Sequence, residues 1–322
     1  MKTRKLGWTE LEFTTIGLGT WALGGGAWRF GWGTQEDLDS IATIHIAMEL
    51  GINWIDTAPV YGLGRSEHVV GQALKGMTKR PLIATKCGRI WNEAREISGC
   101  LKRTSVLDEV DQSLRRMGVD VIDLYQVHWP IPDEDVEEAW GAIADAVQAG
   151  KIRYAGVSNF SVEQMERIRP IHPIASLQPP YSMLRRGIED DILGYCAAHQ
   201  IGVIAYSPMQ KGLLTEKFSR EWALALSEDD HRSRDAMFTD PQLAVNVELV
   251  KNLRDLAREG GMTLSQLAIA WVLHRDEVTA AIVGARRPDQ ITETVKAGNM
   301  VLDAAQSAAI EGLLANRQKA LG

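Results

Sequence analysis

What the chain lacks narrows it first. Its 322 residues hold three cysteines, Cys87, Cys100 and Cys196, at unrelated spacings and without a C-x-x-C pair. Neither a disulfide framework nor a thiolate metal site is expected, and the three read as free thiols. No excess of positive charge is present either: Lys+Arg 35 stand against Asp+Glu 42, spread along the chain. That leaves no basic footprint for nucleic acid or an anionic membrane. No apolar run approaches the ~18 to 20 residues of a membrane span, and the start MKTRKLGWTELEF leads into no apolar stretch of signal-peptide length. A cytoplasmic protein is the expectation. There is no linker, low-complexity tract, internal repeat or heptad face, so one domain over residues 1–322 and a monomer are the defaults.

What is present is alternation. With 45% hydrophobic residues the chain can bury a large core. Apolar, β-rich runs fall at residues 15–18, 53–55, 82–85, 121–127, 152–157, 174–177, 202–205 and 280–283. Between them lie stretches with helical spacing: Ile41, Ile44, Ala47, Met48; Val106, Val110, Leu114, Met117; Val136, Ala139, Trp140, Ile143. Thr34 with Asp37, Ser161 with Gln164 and Thr263 with Gln266 have capping-box spacing.

Eight β-then-α units predict a closed parallel (β/α)8 TIM barrel, because parallel strands need crossover helices and eight strands enclose an interior that side chains just fill. Arg4 to Thr14, with Gly7-Trp8 in its turn, reads as an N-terminal β-hairpin on the barrel floor, and extra helices follow the last strand. The competitor is an open doubly wound sheet, since Gly17-Leu-Gly19-Thr-Trp-Ala22 matches G-x-G-x-x-A. That fingerprint needs an acidic residue ending the second strand, and Glu36, Asp37 and Asp39 fall on a helix pattern instead.

Polar residues sit at the C-terminal ends of the apolar runs: Asp56 after Asn-Trp-Ile, Lys86 after Ile-Ala-Thr, His128 after Tyr-Gln-Val, then Ser158 and Asn159, Gln178 and Tyr206, with Tyr61 five positions beyond Asp56. In a barrel those ends converge on one face. An acid, a phenol, a cation and an imidazole together can deliver a proton to a carbonyl oxygen. Lys86 is expected to draw the Tyr61 pKa down from its usual ~10 toward neutrality, Asp56 to pair with Lys86, and neutral His128 to orient the carbonyl. Each residue taken singly also has a structural reading, as a turn cap, an ion pair or a loop histidine.

Asn53-Trp-Ile-Asp56-Thr-Ala-Pro-Val-Tyr61-Gly, Ile83-Ala-Thr-Lys86, Asp123-Leu-Tyr-Gln-Val-His128-Trp-Pro and Gly156-Val-Ser-Asn159-Phe, in that order, resemble the aldo-keto reductase superfamily over essentially the whole chain. The texture is similar to bacterial members of the general-stress and inositol-operon group. The resemblance implies NADP(H) as hydride source on the barrel and the tetrad Asp56, Tyr61, Lys86, His128. It implies Ser158, Asn159 and Gln178 at the carboxamide and Tyr206 stacked on the nicotinamide. Gly19, Thr20 and Trp21 with the loop Ser207, Pro208, Met209, Lys211, Gly212 would line the cofactor and its pyrophosphate. Gly284, Arg286, Gln290 and Thr294 would lie at the adenosine end, with Arg286 facing a 2′-phosphate, which favours NADP over NAD. Thr294 stands where the family often has Asn.

For the substrate, a small carbonyl compound, alcohol or sugar, the wall would be aromatic: Trp21, Trp28, Trp32, Trp91 and Trp129, with Tyr61 and His128 at its base. Arg232 is an alternative phosphate clamp or a solvated loop charge. Three functions remain open at this point: a reversible NADPH-dependent carbonyl reductase (or a dehydrogenase working mainly in oxidation), a cofactor-sensing binding protein, and a lyase or isomerase without nucleotide.

Overall fold

The computed structural model describes residues 1–26, 28–227 and 230–322. Eight strands, β3 (Ile16–Gly19), β4 (Trp54–Asp56), β5 (Leu82–Cys87), β8 (Ile122–Val127), β9 (Ile152–Ser158), β10 (Ser176–Gln178), β11 (Gly202–Tyr206) and β12 (Val278–Gly284), form a closed barrel in chain order. Every neighbouring pair is parallel, and β12 returns to β3. The remaining strands make two antiparallel hairpins, β1 (Thr3–Lys5) with β2 (Glu12–Thr14) and β6 (Arg89–Trp91) with β7 (Ile97–Gly99).

Around the barrel run α1 (Asp37–Glu49), α2 (Arg65–Leu74), α3 (Arg103–Met117), α4 (Val136–Gln148), α5 (Val162–Ile168), α6 (Ile192–Ala198), α7 (Arg220–Leu224), α8 (Gln242–Glu259), α9 (Leu264–Leu273), α10 (Pro288–Thr294) and α11 (Ala304–Leu321). All eight expected strands are present, with edges shifted by a residue or two where the ladder outlasts the apolar run. Helix α4 buries the expected stripe, Val136, Ala139, Trp140 and Ile143. The extra helix α11 packs on α8 after the last strand. No helix among the described residues is long and apolar enough to cross a membrane.

Two of the three expected capping boxes form, Ser161 with Gln164 and Thr263 with Gln266. The Thr34 box does not: α1 begins at Asp37, and its N-cap, Glu36, makes no side-chain cap bond. The carbonyl of Thr34 is instead held by Arg286. Asp303 with Gln306 makes a further box, at the start of α11.

The closed barrel also removes the dinucleotide fingerprint. A Cβ on Gly17 would lie 2.1 Å from the Trp54 indole, so this glycine makes room for a core side chain rather than for a pyrophosphate. The N-terminal hairpin does floor the barrel. Its Leu6, Leu11 and Phe13 pack with Trp54, Ala84, Leu124, Ile204 and Ala280 in one apolar cluster. Phe13 stacks on Trp54 at 4.5 Å, and the indole N–H donates to Thr14 O at 2.9 Å. Strand alternation puts the site directly above this floor. Trp54 and Ala84 face inward, so two residues on Asp56 and Lys86 do the same, while Ile55, Ile83 and Cys87 between and beside them face the helices.

Candidate active site

Asp56, Lys86 and Tyr61 meet at the barrel mouth. The Lys86 ammonium, fully buried, donates to both Asp56 carboxylate oxygens at 2.8 Å and to Thr57 O at 2.9 Å. The Tyr61 hydroxyl lies 3.3 Å from it. Gln178 Nε2 donates to the second Asp56 oxygen at 2.8 Å, which fixes the carboxylate from the opposite wall of the barrel. Such a carboxylate holds the ammonium in one direction, because a buried ion pair persists only when its remaining lone pairs are bonded. His128 stands edge-on to Tyr61, ring centroids 5.7 Å apart.

The electrostatics only partly match the sequence expectation. Burial pushes the His128 imidazole well below its ordinary pKa, and Lys86 and Arg89 add to this, so the ring is neutral as expected. Burial lowers Lys86 as well, with Asp56 opposing the shift. Tyr61 moves opposite to expectation. Burial, and then the Asp56 charge, raise its pKa well above 10. The ammonium does not act alone on the phenol: paired with Asp56 it forms a nearly neutral unit, and desolvation of a phenolate then dominates. Tyr61 is a phenol that keeps its proton until something stabilises the developing anion.

Beside this group, the residues expected at a carboxamide are linked to one another. Ser158 Oγ donates to Gln178 O at 2.8 Å and accepts from Asn159 Nδ2 at 2.9 Å; Asn159 Nδ2 also reaches His128 O, and the Tyr206 hydroxyl donates to Asn159 Oδ1 at 2.8 Å. Asn159 takes φ +63°, which turns it back toward the pocket. After β11, Ser207, Gln210, Lys211 and Gly212 all have positive φ. Met209, at φ −93° and ψ 15°, precedes left-handed Gln210, a backbone alternation that shapes concavities for anions. Pro208 is buried and Met209 half-buried in the same turn, while the Lys211 ammonium is held by Asp235 at 2.8 Å. These features suit a nucleotide lying along the ends of β9 to β11.

Other expected residues are engaged differently. Arg286 donates to Gln35 Oε1, Trp32 O and Thr34 O, so its guanidinium clasps the β3–α1 loop rather than standing free for a phosphate. It has no carboxylate partner among the described residues, and burial with Arg287 and Arg232 nearby lowers its pKa. Gln290 Oε1 accepts from the Arg286 and Arg287 amides, and Thr294 Oγ1 bonds Gln290 O, so both serve α10 itself. Thr20 Oγ1 donates to Asp56 O at the end of β4. A Cβ on Gly19 would meet Ile282 at 2.6 Å, whereas one on Gly284 would find only Gly19 O, at 3.9 Å.

Among the tryptophans, Trp21 and Trp28 pack against Tyr61, with centroids 6.2 and 6.1 Å away, and Trp32 lies 6.0 Å from Trp21. Ala27, inside that loop, lies outside the described residues. Trp91 and Trp129 are not part of this group among the described residues; Trp91 sits on the β6–β7 hairpin and Trp129 under Arg89. Arg232 is not a solvated charge. It is buried, paired with Asp230 at 2.6 Å and seated between the Trp32 and Trp222 rings at 4.4 and 4.9 Å. Sequence reasoning missed Gln35, whose partner lies 251 positions away and which no local pattern marks. Behind Lys86, Glu67 holds Thr85 and Arg116.

A buried ammonium–carboxylate pair touching a phenol, at the C-terminal mouth of a (β/α)8 barrel, can deliver a proton to a carbonyl oxygen, and the relatives of the chain make it an oxidoreductase acting on carbonyls and alcohols. The Aldo/keto reductase family profile matches residues 15–315, and the chain belongs to that family. It is similar to the aldo-keto reductase YhdN of Bacillus subtilis (strain 168), 37% identical over 96% of this chain and 92% of that protein. It is also similar to an NADH-specific methylglyoxal reductase of Escherichia coli (strain K12), 32% identical over 95% of this chain and 96% of that protein. Among solved structures it resembles a glycerol dehydrogenase of Gluconobacter oxydans, with a TM-score of 0.90, 36% identity and coverage of 98% of this chain and 95% of that one. Members of the family use a nicotinamide cofactor.

Proposed function

We propose that this protein is an NADP(H)-dependent carbonyl reductase in which Tyr61 protonates the substrate oxygen. The observation that carries this reading is the buried contact of Lys86 with both Asp56 and the Tyr61 hydroxyl. When bound, the nicotinamide supplies the hydride. Tyr61 donates its proton as negative charge builds on the oxygen, Lys86 steadies the resulting phenolate, and Asp56, braced by Gln178, keeps Lys86 aimed at it. Neutral His128 offers a ring N–H to the same oxygen and sets the face of attack. The raised Tyr61 pKa keeps the phenol protonated and ready to act as the acid of the reductive direction.

NADP rather than NAD rests on Arg286, a cation with no acid partner among the described residues and with Arg287 and Arg232 nearby. A 2′-phosphate would take the place of the three oxygens it now holds. The NADH-specific relative makes the opposite preference the rival outcome. The test follows nucleotide absorbance over a panel of aldehydes, ketones and sugars with NADPH and NADH. Tyr61→Phe is expected to lower kcat/KM by about 10²- to 10⁴-fold while tryptophan fluorescence still reports nucleotide binding. Full turnover in Tyr61→Phe would remove Tyr61 from the chemistry.

A further inference from the structure

Two polar groups that pack on Trp21, the ring next to Tyr61, have no work in the reaction just described. Both ring nitrogens of His231 are buried without a hydrogen-bond partner among the described residues, and so is Trp32 Nε1. The contrast within the loop is informative. Trp21 donates its indole N–H to Phe30 O and Trp28 to Gly25 O, both at 3.0 Å, so those two rings are fastened by the loop's own carbonyls. Trp32 is fastened from outside, by the Arg232 guanidinium on its face and by Arg286 on its carbonyl, with its N–H left over. His231 stacks on Trp21 at 5.5 Å and lies 6.3 Å from Trp32, and Trp21 in turn stacks on Tyr61 at 6.2 Å. Unsatisfied buried donors and acceptors are unfavourable by about 1–3 kcal/mol each, so three within one aromatic layer point to a partner that arrives from outside the protein.

We propose that His231 and Trp32 form the distal half of the substrate pocket and recognise a hydroxyl group borne by the substrate beyond its reacting carbon. The chemistry suits a hydroxylated aldehyde or ketone, or the matching polyol. A neutral imidazole carries one donor and one acceptor and the indole adds a donor, which together match a hydroxyl that both gives and takes a hydrogen bond. The Trp21 face covers the C–H edge between them. Burial, and then Lys211, push the His231 pKa down to about 4, so the ring stays neutral throughout the working range. His231 is thus a specificity residue. The inference rests on Tyr61 being the proton donor at the other end of the same pocket.

The test compares D-glyceraldehyde with propanal, two three-carbon aldehydes that differ in hydroxylation, in wild type, His231→Phe and His231→Gln. Phenylalanine keeps the stack on Trp21 and removes both nitrogens; glutamine restores a donor and an acceptor. In His231→Phe the ratio of kcat/KM for glyceraldehyde over propanal is expected to fall about five- to tenfold, through KM, with propanal changed less than about twofold and glutamine recovering much of the loss. An equal fall on both substrates, as a cofactor contact or a packing role would produce, or an unchanged ratio overturns the inference alone. A wild-type protein inert on both aldehydes with either nucleotide overturns the reductase reading beneath it as well.

Discussion

Glu109 offers a quantitative check on the electrostatics behind the site. It lies on α3, 6% exposed, and its carboxylate accepts the Gly88 N–H at 3.0 and 3.2 Å, two residues beyond Lys86. Burial raises its pKa from 4.5 to about 7, against the hydrogen bonds from Gly88 and Ser105 and the Arg116 charge, which lower it. Because the folded pKa is raised, the folded state binds the proton more tightly than the unfolded chain. Stability from this group is therefore intact below about pH 4.5 and is lost as pH rises through about 7. At ~1.36 kcal/mol for each unit between 4.5 and 7, the loss is roughly 3 kcal/mol at pH 8 and about 1 kcal/mol at pH 5. Glu109→Gln keeps an acceptor for Gly88 and cannot ionise. Denaturant unfolding of both proteins from pH 5 to 8 should show the variant gaining on wild type by about 2 kcal/mol across that range. Taking the difference between the two cancels the titrating groups that do not interact with Glu109. A difference that stays flat with pH would mean that the buried carboxylate carries no ionisation penalty and that desolvation behind β5 has been misjudged.

The same reasoning sets the pH profile of turnover. With the Tyr61 pKa raised well above 10, the rate of carbonyl reduction should stay level from about pH 6 to 9 and alcohol oxidation should rise with pH; a reduction limb falling with a midpoint below 8 would show the ammonium dominating instead. Arg286→Met should raise KM for NADPH by about 10- to 100-fold, the size of a lost charged hydrogen-bond set, while NADH changes less than about twofold. Equal changes for both nucleotides would make Arg286 a loop clasp only. Phe13→Ala removes the ring stacked on Trp54 under the site and should lower stability by roughly 3–5 kcal/mol; a loss below about 1 kcal/mol in chemical denaturation would show the hairpin to be a loose cover rather than part of the barrel floor.

The barrel was legible because its signals are local. Each strand is an apolar run, each crossover helix has its own stripe, and eight repetitions leave few ways to close a sheet. Ser161 and Thr263 marked true helix starts because each hydroxyl still accepts the amide three residues on, and the further bond that Thr263 donates to Glu293 leaves that acceptor role intact. Thr34 was misleading because its carbonyl belongs to Arg286, 252 positions away, and a long-range guanidinium outweighs a first-turn hydroxyl bond of about 1 kcal/mol. Gly17 was ambiguous for the same kind of reason. A glycine that admits Trp54 and a glycine that admits a pyrophosphate look alike until the indole is placed.

The candidate site divides along the same line. That Asp56, Lys86, Tyr61 and His128 converge could be read from strand-end positions, since a barrel gathers its C-terminal ends wherever they fall in sequence. The sign of the Tyr61 shift could not. It depends on whether Lys86 faces the phenol as a bare cation or as half of a pair, and the pairing is made by geometry: two 2.8 Å contacts to Asp56 against one of 3.3 Å to Tyr61. With the charge neutralised in this way, burial decides, and the phenol holds its proton at rest. This arrangement suits a general acid. A phenol acidified in the resting state would lose its proton to water near neutral pH, whereas one that ionises only as the substrate oxygen takes on charge gives up the proton at the step that needs it.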